Sequence, residues 1–446
     1  MTPASAVEAE TDSPRTRQTP SRIARRVNFS DLISTPSRAV SLLWGNPFQQ
    51  GPADVQGLTT VPINTTGQLS CFTGAVRAVS TGCPSRLCVP GSQAGSIPPE
   101  TRSAMEDSGL FDFWDPSCRP LQPAVPPAEP GFSGATVMRI TTARGPLAVR
   151  GWPLDGLPRQ RLEALHRLLE HVAPTAPVAV PVTTGDGGRL AEWQGRLWQL
   201  EPWMPGTADF RDDPSPTRLE EAMATLARFH RAARGFVADR GAETWFASSE
   251  SRRSPAVGER LEQLADYQRR WDRLVHRARE AVSGWADWTG LLVDVDRLFG
   301  RGAAAVAGQL QTVQSTGYRC QPCLRDIWHD HLLWTGDQVT GLIDPGSCRS
   351  DNVAIDLSRL LGSLVGDDTT DWDRGLAAYD RHAGLDLAEA GLVTVLDQST
   401  VLLSGAVWME RLAGGRVGVQ SAAAVNRRLT GVVGRMRELA ERLGFN

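Results

Sequence analysis

Residues 324–331 read LRDIWHDH, and residues 342–346 read LIDPG. In phosphoryl transfer, an Asp on a loop accepts a hydroxyl proton, and acids or amides further along the chain hold the Mg²⁺ that bridges the nucleotide phosphates. Asp326, His331 and Asp344 stand in places that suit these three tasks. The two segments therefore predict a phosphoryl-transfer site, with Asp326 as the base and with His331 and Asp344 as metal ligands.

The chain between the two segments predicts a hairpin. Residues 332–334 and 339–343 are short apolar runs on either side of the turn Thr-Gly-Asp-Gln at 335–338. Such a hairpin carries Asp344 back beside Asp326. Two other interpretations stay open: Asp before Pro-Gly is also ordinary turn chemistry, and the alternating His329 and His331 suit a zinc or copper site.

The spacing resembles that of the aminoglycoside phosphotransferase and choline kinase-like families, whose motif is H-G-D-x-x-x-x-N followed by I-D-x-G. The step of five from Asp326 to His331 and the step of thirteen to Asp344 agree with it. Asp356, twelve positions further on, falls where the families have a structural Asp that opens a helix. The chain departs from the motif at Leu324, Arg325 and His331. The resemblance covers roughly residues 130–440 and is strongest at 324–357.

This resemblance implies an α+β, bilobal protein-kinase-like fold. We expect a small, β-rich amino lobe at 129–204 and a mostly helical carboxyl lobe with the catalytic loop at 205–446. Residues 1–128 are rich in Ser, Thr, Pro and Gly and show little periodicity, which predicts a disordered arm or a mis-annotated extension, with Met105 as an alternative start. The implied cofactors are ATP and Mg²⁺.

The resemblance also implies where the nucleotide phosphates bind. Gly131, Ser133 and Gly134 lie in a small-residue turn that precedes a strand, where backbone can approach phosphate oxygens closely. Arg150, at the end of the next strand, occupies the place of the phosphate-binding Lys. All 47 basic residues of the chain are Arg, so this task falls to Arg or to no residue. Arg325, beside Asp326, is expected to be a second catalytic residue that neutralises a neighbouring charge.

A helix and a hinge complete the implied site. Leu at helical spacing predicts an amphipathic helix over 159–172, from which Glu163, or alternatively Glu170, is expected to pair with Arg150. Residues 201–206 read EPWMPG and resemble the hinge between the lobes. Backbone groups of Glu201 and Trp203 are expected to bind the adenine there.

Before the hinge, the pattern predicts strands over 178–182 and 197–200. Beyond the hinge, it predicts helices over 218–233, 258–283, 356–364, 384–405 and 417–443. His230, at the end of the first of these helices, is expected to lie in the core. Acidic residues at 367–373 predict a solvated loop or, alternatively, a surface for a cationic substrate.

Composition limits the function classes. A net charge of −3 over 446 residues gives no case for nucleic-acid or anionic-membrane binding, and no secretory signal is evident. Seven scattered Cys indicate a reducing cytoplasm, and the lone C-x-x-C at 320–323 predicts two semi-buried thiols, with a redox motif as the weaker alternative. The partner is expected to be a small molecule with a hydroxyl group. The oligomeric state is open.

Two functions of different classes remain. The first is a Mg-dependent phosphotransferase that moves the γ-phosphate of ATP to a small-molecule hydroxyl. The second is a pseudokinase, a nucleotide-binding or scaffold protein without turnover, because the motif is altered at its Lys, its Asn and its His-Gly pair. Retention of both Asp326 and Asp344 favours the first.

Overall fold

The computed structural model describes residues 109–126, 135–154, 156–282, 286–415 and 422–445. They form a small lobe built on a four-stranded sheet and a larger, mostly helical lobe. The arm up to residue 108 and the small-residue turn with Gly131, Ser133 and Gly134 lie outside the described residues.

An antiparallel sheet with the order β1-β2-β4-β3 forms the amino lobe. In β1, Met138, Ile140 and Thr142 are buried while Arg139 and Thr141 between them are exposed, which is the period of two of a strand with one covered face. One helix, α1, crosses the opposite face of the sheet. The elements are β1 (Thr136–Thr142), β2 (Gly145–Gly151), α1 (Arg159–Val172), β3 (Ala191–Trp193) and β4 (Arg196–Pro202).

The segment before β1 belongs to this lobe. Two short 3₁₀ turns, Leu110–Phe113 and Pro116–Cys118, place Leu110, Phe111 and Trp114 against the outer face of the sheet. The Trp114 indole donates to the carbonyl of Val182 at 3.2 Å. The predicted boundary at residue 128 is therefore wrong, because residues in 3₁₀ turns bury apolar side chains without helical or strand periodicity.

Eight helices lie in the described part of the carboxyl lobe, around the long apolar helix α8. They are α2 (Pro216–Arg234), α3 (Glu243–Phe246), α4 (Pro255–Ala281), α5 (Ala286–Val313), α6 (Ala354–Leu364), α7 (Thr369–Ala383), α8 (Leu387–Ala413) and α9 (Ala422–Leu443). Helix α8 has the length and mean hydropathy of a membrane span, but 67% of its most apolar stretch is buried by other helices. Central helices of protein cores share these properties.

Five strands complete the lobe and position the loop segments. A three-stranded sheet has the order β5-β6-β9, and β7 pairs with β8 as the predicted hairpin. Their bounds are β5 (Ser249–Arg252), β6 (Tyr318–Cys323), β7 (Leu332–Thr335), β8 (Gln338–Leu342) and β9 (Arg349–Asp351). Of the strand predicted at 178–182, the structure has a single bridge, from Val178 to Leu342, which joins the two lobes.

Candidate active site

A buried carboxylate fixes the backbone of the loop after β6. Asp356, in the first turn of α6, accepts hydrogen bonds from the backbone N–H groups of Leu324 at 2.7 Å and of Arg325 at 2.6 Å. The second of these residues has a left-handed φ of 64°, a conformation that a residue with a side chain adopts only under such constraint. The structural role predicted for Asp356 is confirmed.

His230 holds the same carboxylate from the other side. Its Nε2 lies 2.9 Å from Asp356 Oδ2 and its Nδ1 lies 2.9 Å from the hydroxyl of Tyr379. His230 is fully buried, as the sequence predicted. The sulfur of Cys323 lies in the same cluster and contacts the carbonyl of Asp351 at 3.3 Å. These groups already have partners in the protein, so the cluster is a structural anchor for the loop.

The anchored loop presents Asp326 to solvent. Its side chain is 47% exposed, and one oxygen forms an ion pair with Arg359 on α6. Since α6 also carries Asp356, one helix fixes both the loop backbone and the orientation of the Asp326 carboxylate. An exposed, oriented carboxylate can accept a hydrogen bond from a substrate hydroxyl.

His331 is a brace for this loop. Its Nδ1 lies 2.7 Å from the carbonyl oxygen of Asp326, and its Nε2 lies 2.8 Å from the indole nitrogen of Trp328. An indole N–H can only donate, so Nε2 is the acceptor and Nδ1 carries the proton. Burial lowers the pKa of His331, which keeps the ring neutral. The lone pair that a metal needs is taken by Trp328, and this geometry contradicts the predictions of His331 as a metal ligand and of a His329–His331 zinc or copper site.

Asp344 faces the amino lobe. It follows β8 in a left-handed conformation, with φ 56° and ψ 57°, ahead of Pro345 and Gly346. Its Oδ1 lies 3.2 Å from Nη1 of Arg150 on β2. The predicted hairpin thus delivers Asp344 to the cleft between the lobes. Burial lowers the pKa of His331, and the charges of Asp344 and Asp326 act in the opposite direction.

Arg150 lies between two carboxylates. Its Nε and Nη2 approach Oε1 of Glu201 at 3.4 and 3.3 Å, while Nη1 reaches Asp344. Burial opposes the charge of Arg150, but the two carboxylates outweigh this effect and raise its pKa above the ordinary value. The Arg150 guanidinium therefore joins the two lobes, and its role as the phosphate-binding cation stays a prediction.

Known proteins show which family this chain belongs to. The model of the phosphotransferase enzyme family matches residues 124–393, which is more than half of the chain. The chain belongs to the phosphotransferase enzyme family. No curated protein sequence matches it.

Solved structures resemble this phosphotransferase in fold. An amicoumacin kinase in complex with AMP-PNP, Ca²⁺ and Ami is 13% identical, with a TM-score of 0.50 over 76% of this chain and 96% of that chain. An aminoglycoside phosphotransferase from Alicyclobacillus acidocaldarius is 16% identical, with a TM-score of 0.49 over 79% of this chain and 96% of that chain. The family match and the likeness to the amicoumacin kinase structure confirm the predicted bilobal kinase-like fold.

The partner of Arg150 in this phosphotransferase differs from the predicted one. Glu163 lies 3.8 Å from Arg159 on the exposed side of α1, and Glu170 pairs with Arg189. The predicted ion pair of Glu163 with Arg150 is wrong, because α1 turns His166 rather than Glu163 toward the sheet. His166 Nε2 lies 3.0 Å from the side-chain oxygen of Gln199.

The side chain of Glu201 belongs to a polar network within the amino lobe, and its backbone as an adenine contact stays a prediction. Gln199 donates to its Oε2 at 2.6 Å, and its Oε1 holds Arg150. Both side chains point to the α1 face of β4, while Leu200 between them points to the opposite, apolar face. Two polar residues at a spacing of two in a strand are the sequence signal that would have revealed this buried network.

The hinge departs from expectation at Trp203. Its backbone N–H donates to the carbonyl of Pro146 at 3.1 Å and extends the pairing of β4 with β2. That donor is not available to an adenine. The Trp203 ring instead lies under the guanidinium of Arg139, 5.3 Å from the ring centre. The Trp203 carbonyl as an adenine contact stays a prediction.

Arg325 points away from the reaction site. Its guanidinium pairs with Glu259 on α4 and lies 3.4 Å from Asp351 on β9. The charge that it neutralises is therefore structural, and its predicted catalytic role is wrong. Glu259 also binds Arg349 on β9, so one carboxylate joins the catalytic loop to the strand that follows Asp344.

The C-x-x-C motif is not suited to redox chemistry. Cys320 and Cys323 are buried free thiols on β6. Burial, followed by the charge of Asp351, raises the pKa of Cys320 to about 12, so the reactive thiolate is not formed near neutral pH. The two thiols are more deeply buried than the semi-buried pair that the sequence predicted.

Proposed function

We propose that this phosphotransferase moves the γ-phosphoryl group of ATP to a hydroxyl group of a small molecule, in a Mg²⁺-dependent reaction. The observation that carries the proposal is the placement of two carboxylates. Asp326 is exposed on a loop locked by buried Asp356, and Asp344 faces Arg150 across the cleft. Family membership independently supports phosphoryl transfer.

Three residues have distinct roles in the proposed reaction. The substrate hydroxyl donates its proton to Asp326 while its oxygen forms a bond to the γ-phosphorus. The bond from the γ-phosphorus to the β,γ-bridging oxygen breaks, and ADP leaves with that electron pair. Arg359 keeps the Asp326 carboxylate oriented, and Arg150 is the cation for the phosphate oxygens. Catalysis consists mainly of positioning and charge neutralisation.

Asp344 fits a Mg²⁺ site. Its side chain is 35% exposed at the cleft, and Mg²⁺ is commonly held by one or two carboxylates with substrate phosphates and water. When bound, Mg²⁺ supplies charge neutralisation at the phosphates. Because His331 braces the loop instead, Asp344 is the protein ligand that we assign.

The pseudokinase alternative rests on the altered motif. Each altered position has a partner: His331 binds the Asp326 carbonyl, Arg150 pairs with Asp344, and the backbone N–H groups of Leu324 and Arg325 donate to Asp356. The substitutions therefore leave both carboxylates in place. No observation favours a protein without turnover.

Asp326→Asn tests the proposal. The amide is nearly isosteric but cannot take a proton, so we expect kcat to fall about a hundredfold or more while MgATP binding, measured by calorimetry, stays within about threefold. Asp337→Asn, on the exposed β7–β8 turn, is the matched control and should retain full activity. Wild-type turnover in Asp326→Asn would overturn the proposal.

We further propose a reducing, cytoplasmic location. Four cysteines of the described residues, Cys118, Cys320, Cys323 and Cys348, are free and buried. Disulfides are rare in the cytoplasm, where thiols stay reduced.

A further inference from the structure

Gln199 on β4 is the centre of a buried polar network in the amino lobe. Its side-chain oxygen lies 2.9 Å from the indole nitrogen of Trp152 and 3.0 Å from Nε2 of His166 on α1. An indole N–H can only donate, so the amide oxygen faces Trp152 and the amide NH₂ group faces Glu201, to which it donates at 2.6 Å. Because the amide oxygen can only accept, Nε2 of His166 carries the proton. Three partners therefore fix the orientation of the Gln199 amide.

The network continues to the guanidinium of Arg150, which stands opposite Gln199 in the register of β2 with β4. Oε1 of Glu201 lies 3.4 Å from Nε and 3.3 Å from Nη2 of Arg150. These two nitrogens form one edge of the planar guanidinium, and Nη1 lies on its other side. Nη1 is the nitrogen that approaches Asp344, at 3.2 Å. Glu201 thus holds one edge of the guanidinium and leaves Nη1 to face the cleft.

The two carboxylate partners of Arg150 differ in burial and in task. The side chain of Glu201 is 12% exposed, whereas that of Asp344 is 35% exposed. Asp344 is also the residue that we assign to Mg²⁺, and a carboxylate that binds a divalent cation attracts a guanidinium less strongly. Glu201 is therefore the partner that keeps Arg150 in place when Asp344 serves the metal.

Trp152 connects this network to the turn that carries Asp344. The guanidinium of Arg150 lies 5.5 Å from the centre of the Trp152 ring, and a Cβ on Gly346 would lie 3.3 Å from the same ring. Gly346 comes two residues after Asp344, so the ring packs directly against this turn. Gln199 therefore supports both Glu201 and the Trp that contacts the opposite lobe.

Resting on the proposed function, we propose that Glu201 and Gln199 are positioning residues for nucleotide binding. Glu201 holds the Nε and Nη2 edge of Arg150 so that Nη1 meets the nucleotide phosphates, and Gln199 holds Glu201. An Arg side chain has several rotatable bonds, and fixing it before the nucleotide binds removes part of the entropy cost of binding. Both residues act through Arg150.

Two variants test these roles by calorimetry with MgAMP-PNP, a probe whose binding requires no turnover. Glu201→Gln should weaken binding about tenfold, because Arg150 loses its buried counter-charge. Gln199→Met keeps the charge of Glu201 and removes only its hydrogen-bond donor, so we expect a loss of about threefold to tenfold. Adenosine, which has no phosphate, should bind the wild type and both variants equally.

Glu192→Gln is the matched control for these variants. Glu192 lies on β3 of the same sheet and also pairs with an Arg, but its side chain is 65% exposed and its partner is Arg159 on α1. We expect wild-type affinity for MgAMP-PNP in this variant. A loss equal to that of Glu201→Gln would overturn the inference, since any acidic residue of the lobe would then have the same effect.

A double-mutant cycle distinguishes positioning from a structural role. If Glu201 acts through Arg150, Glu201→Gln should have no further effect on MgAMP-PNP affinity in an Arg150→Met background. A structural role alone would lower the melting temperature and leave the nucleotide affinity of the folded protein unchanged. The same cycle with Gln199→Met supplies the answer if Glu201→Gln does not fold.

The readouts separate failure of this inference from failure of the proposed function. Wild-type affinity for MgAMP-PNP in both folded variants, or effects that add fully to that of Arg150→Met, would overturn the positioning roles even if the enzyme transfers phosphate. Weakened binding that disappears in the Arg150→Met background, in a protein that phosphorylates no acceptor, would support the positioning roles and count against the proposed function.

Discussion

At the residue scale, Arg150 is a side-chain contact between the lobes, in addition to the bridge from Val178 to Leu342. The chain has no Lys, and Arg150 ends the second predicted strand, so its role as the substitute for the missing Lys stays a prediction. Its partner was not predictable from helix spacing, since Glu163 and Glu170 lie on the same side of α1 and only the rotation of the helix decides whether that side faces the sheet. Glu201 is that partner instead.

Arg150→Ala should raise the KM for ATP and lower kcat. A charge-assisted contact is worth roughly 1.5–3 kcal/mol, so we expect a loss on the order of tenfold to a hundredfold in ATP-dependent efficiency, measured by steady-state kinetics. Arg150→Lys should restore part of this efficiency, since Lys returns the positive charge but lacks the planar guanidinium that binds two oxygens at once. Arg144→Ala, exposed at the β1–β2 turn, serves as the control. Unchanged ATP kinetics in Arg150→Ala would remove Arg150 from the site.

Buried neutral imidazoles predict how stability depends on pH. Burial lowers the pKa of His166 to about 4 and that of His329 to about 3. The unfolded chain then binds more protons than the folded one below about pH 6.5, so the free energy of unfolding falls as pH decreases from there. His166→Gln should make this decline shallower, and exposed His276→Gln should not. Melting curves between pH 7.5 and pH 4.5 that show equal slopes for all three proteins would contradict the assignment.

At the scale of elements, the hairpin β7–β8 and most helices follow from sequence pattern. Helix α5 was not predicted, because Gly300, Gly302 and several Val residues lower its intrinsic helix propensity. Packing accounts for one of these glycines: a Cβ on Gly302 would lie 2.6 Å from the ring of Phe445. Tertiary contacts of this kind cannot be read from a local pattern.

Glu259 on α4 holds the catalytic loop in place although it is not part of that loop. It binds Arg325 before Asp326 and Arg349 after Asp344. Glu259→Gln removes the negative charge that lies between the guanidinium groups of Arg325 and Arg349. We therefore expect kcat to fall about tenfold, with little change in the KM for ATP. Glu259→Asp should be intermediate. Exposed Glu262→Gln on the same helix is the control; a kcat of Glu259→Gln equal to that control would leave Glu259 as a surface residue.

At the scale of the whole molecule, the sequence predicts the two lobes but not where the first begins. Residues 110–118 bury Leu110, Phe111 and Trp114, each worth roughly 1.5–3 kcal/mol on complete burial. A chain that begins at Pro127 should therefore melt about 10 °C or more below one that begins at Met105, or should not fold, since small stability margins are typical. Circular dichroism melts of the two chains measure this. Equal melting temperatures would show that the segment adds nothing to the amino lobe.

The central claim is that Asp326 and Asp344 carry phosphoryl transfer. Phosphorus NMR of the enzyme with MgATP and a panel of hydroxylated acceptors tests it most directly. We predict that the γ-phosphate signal of ATP is replaced by that of a phosphate monoester of one acceptor, and that Asp326→Asn abolishes this change while it still binds MgATP. An enzyme that binds MgATP but leaves the ATP spectrum unchanged with every acceptor, or an Asp326→Asn variant that transfers phosphate as fast as the wild type, would contradict the account.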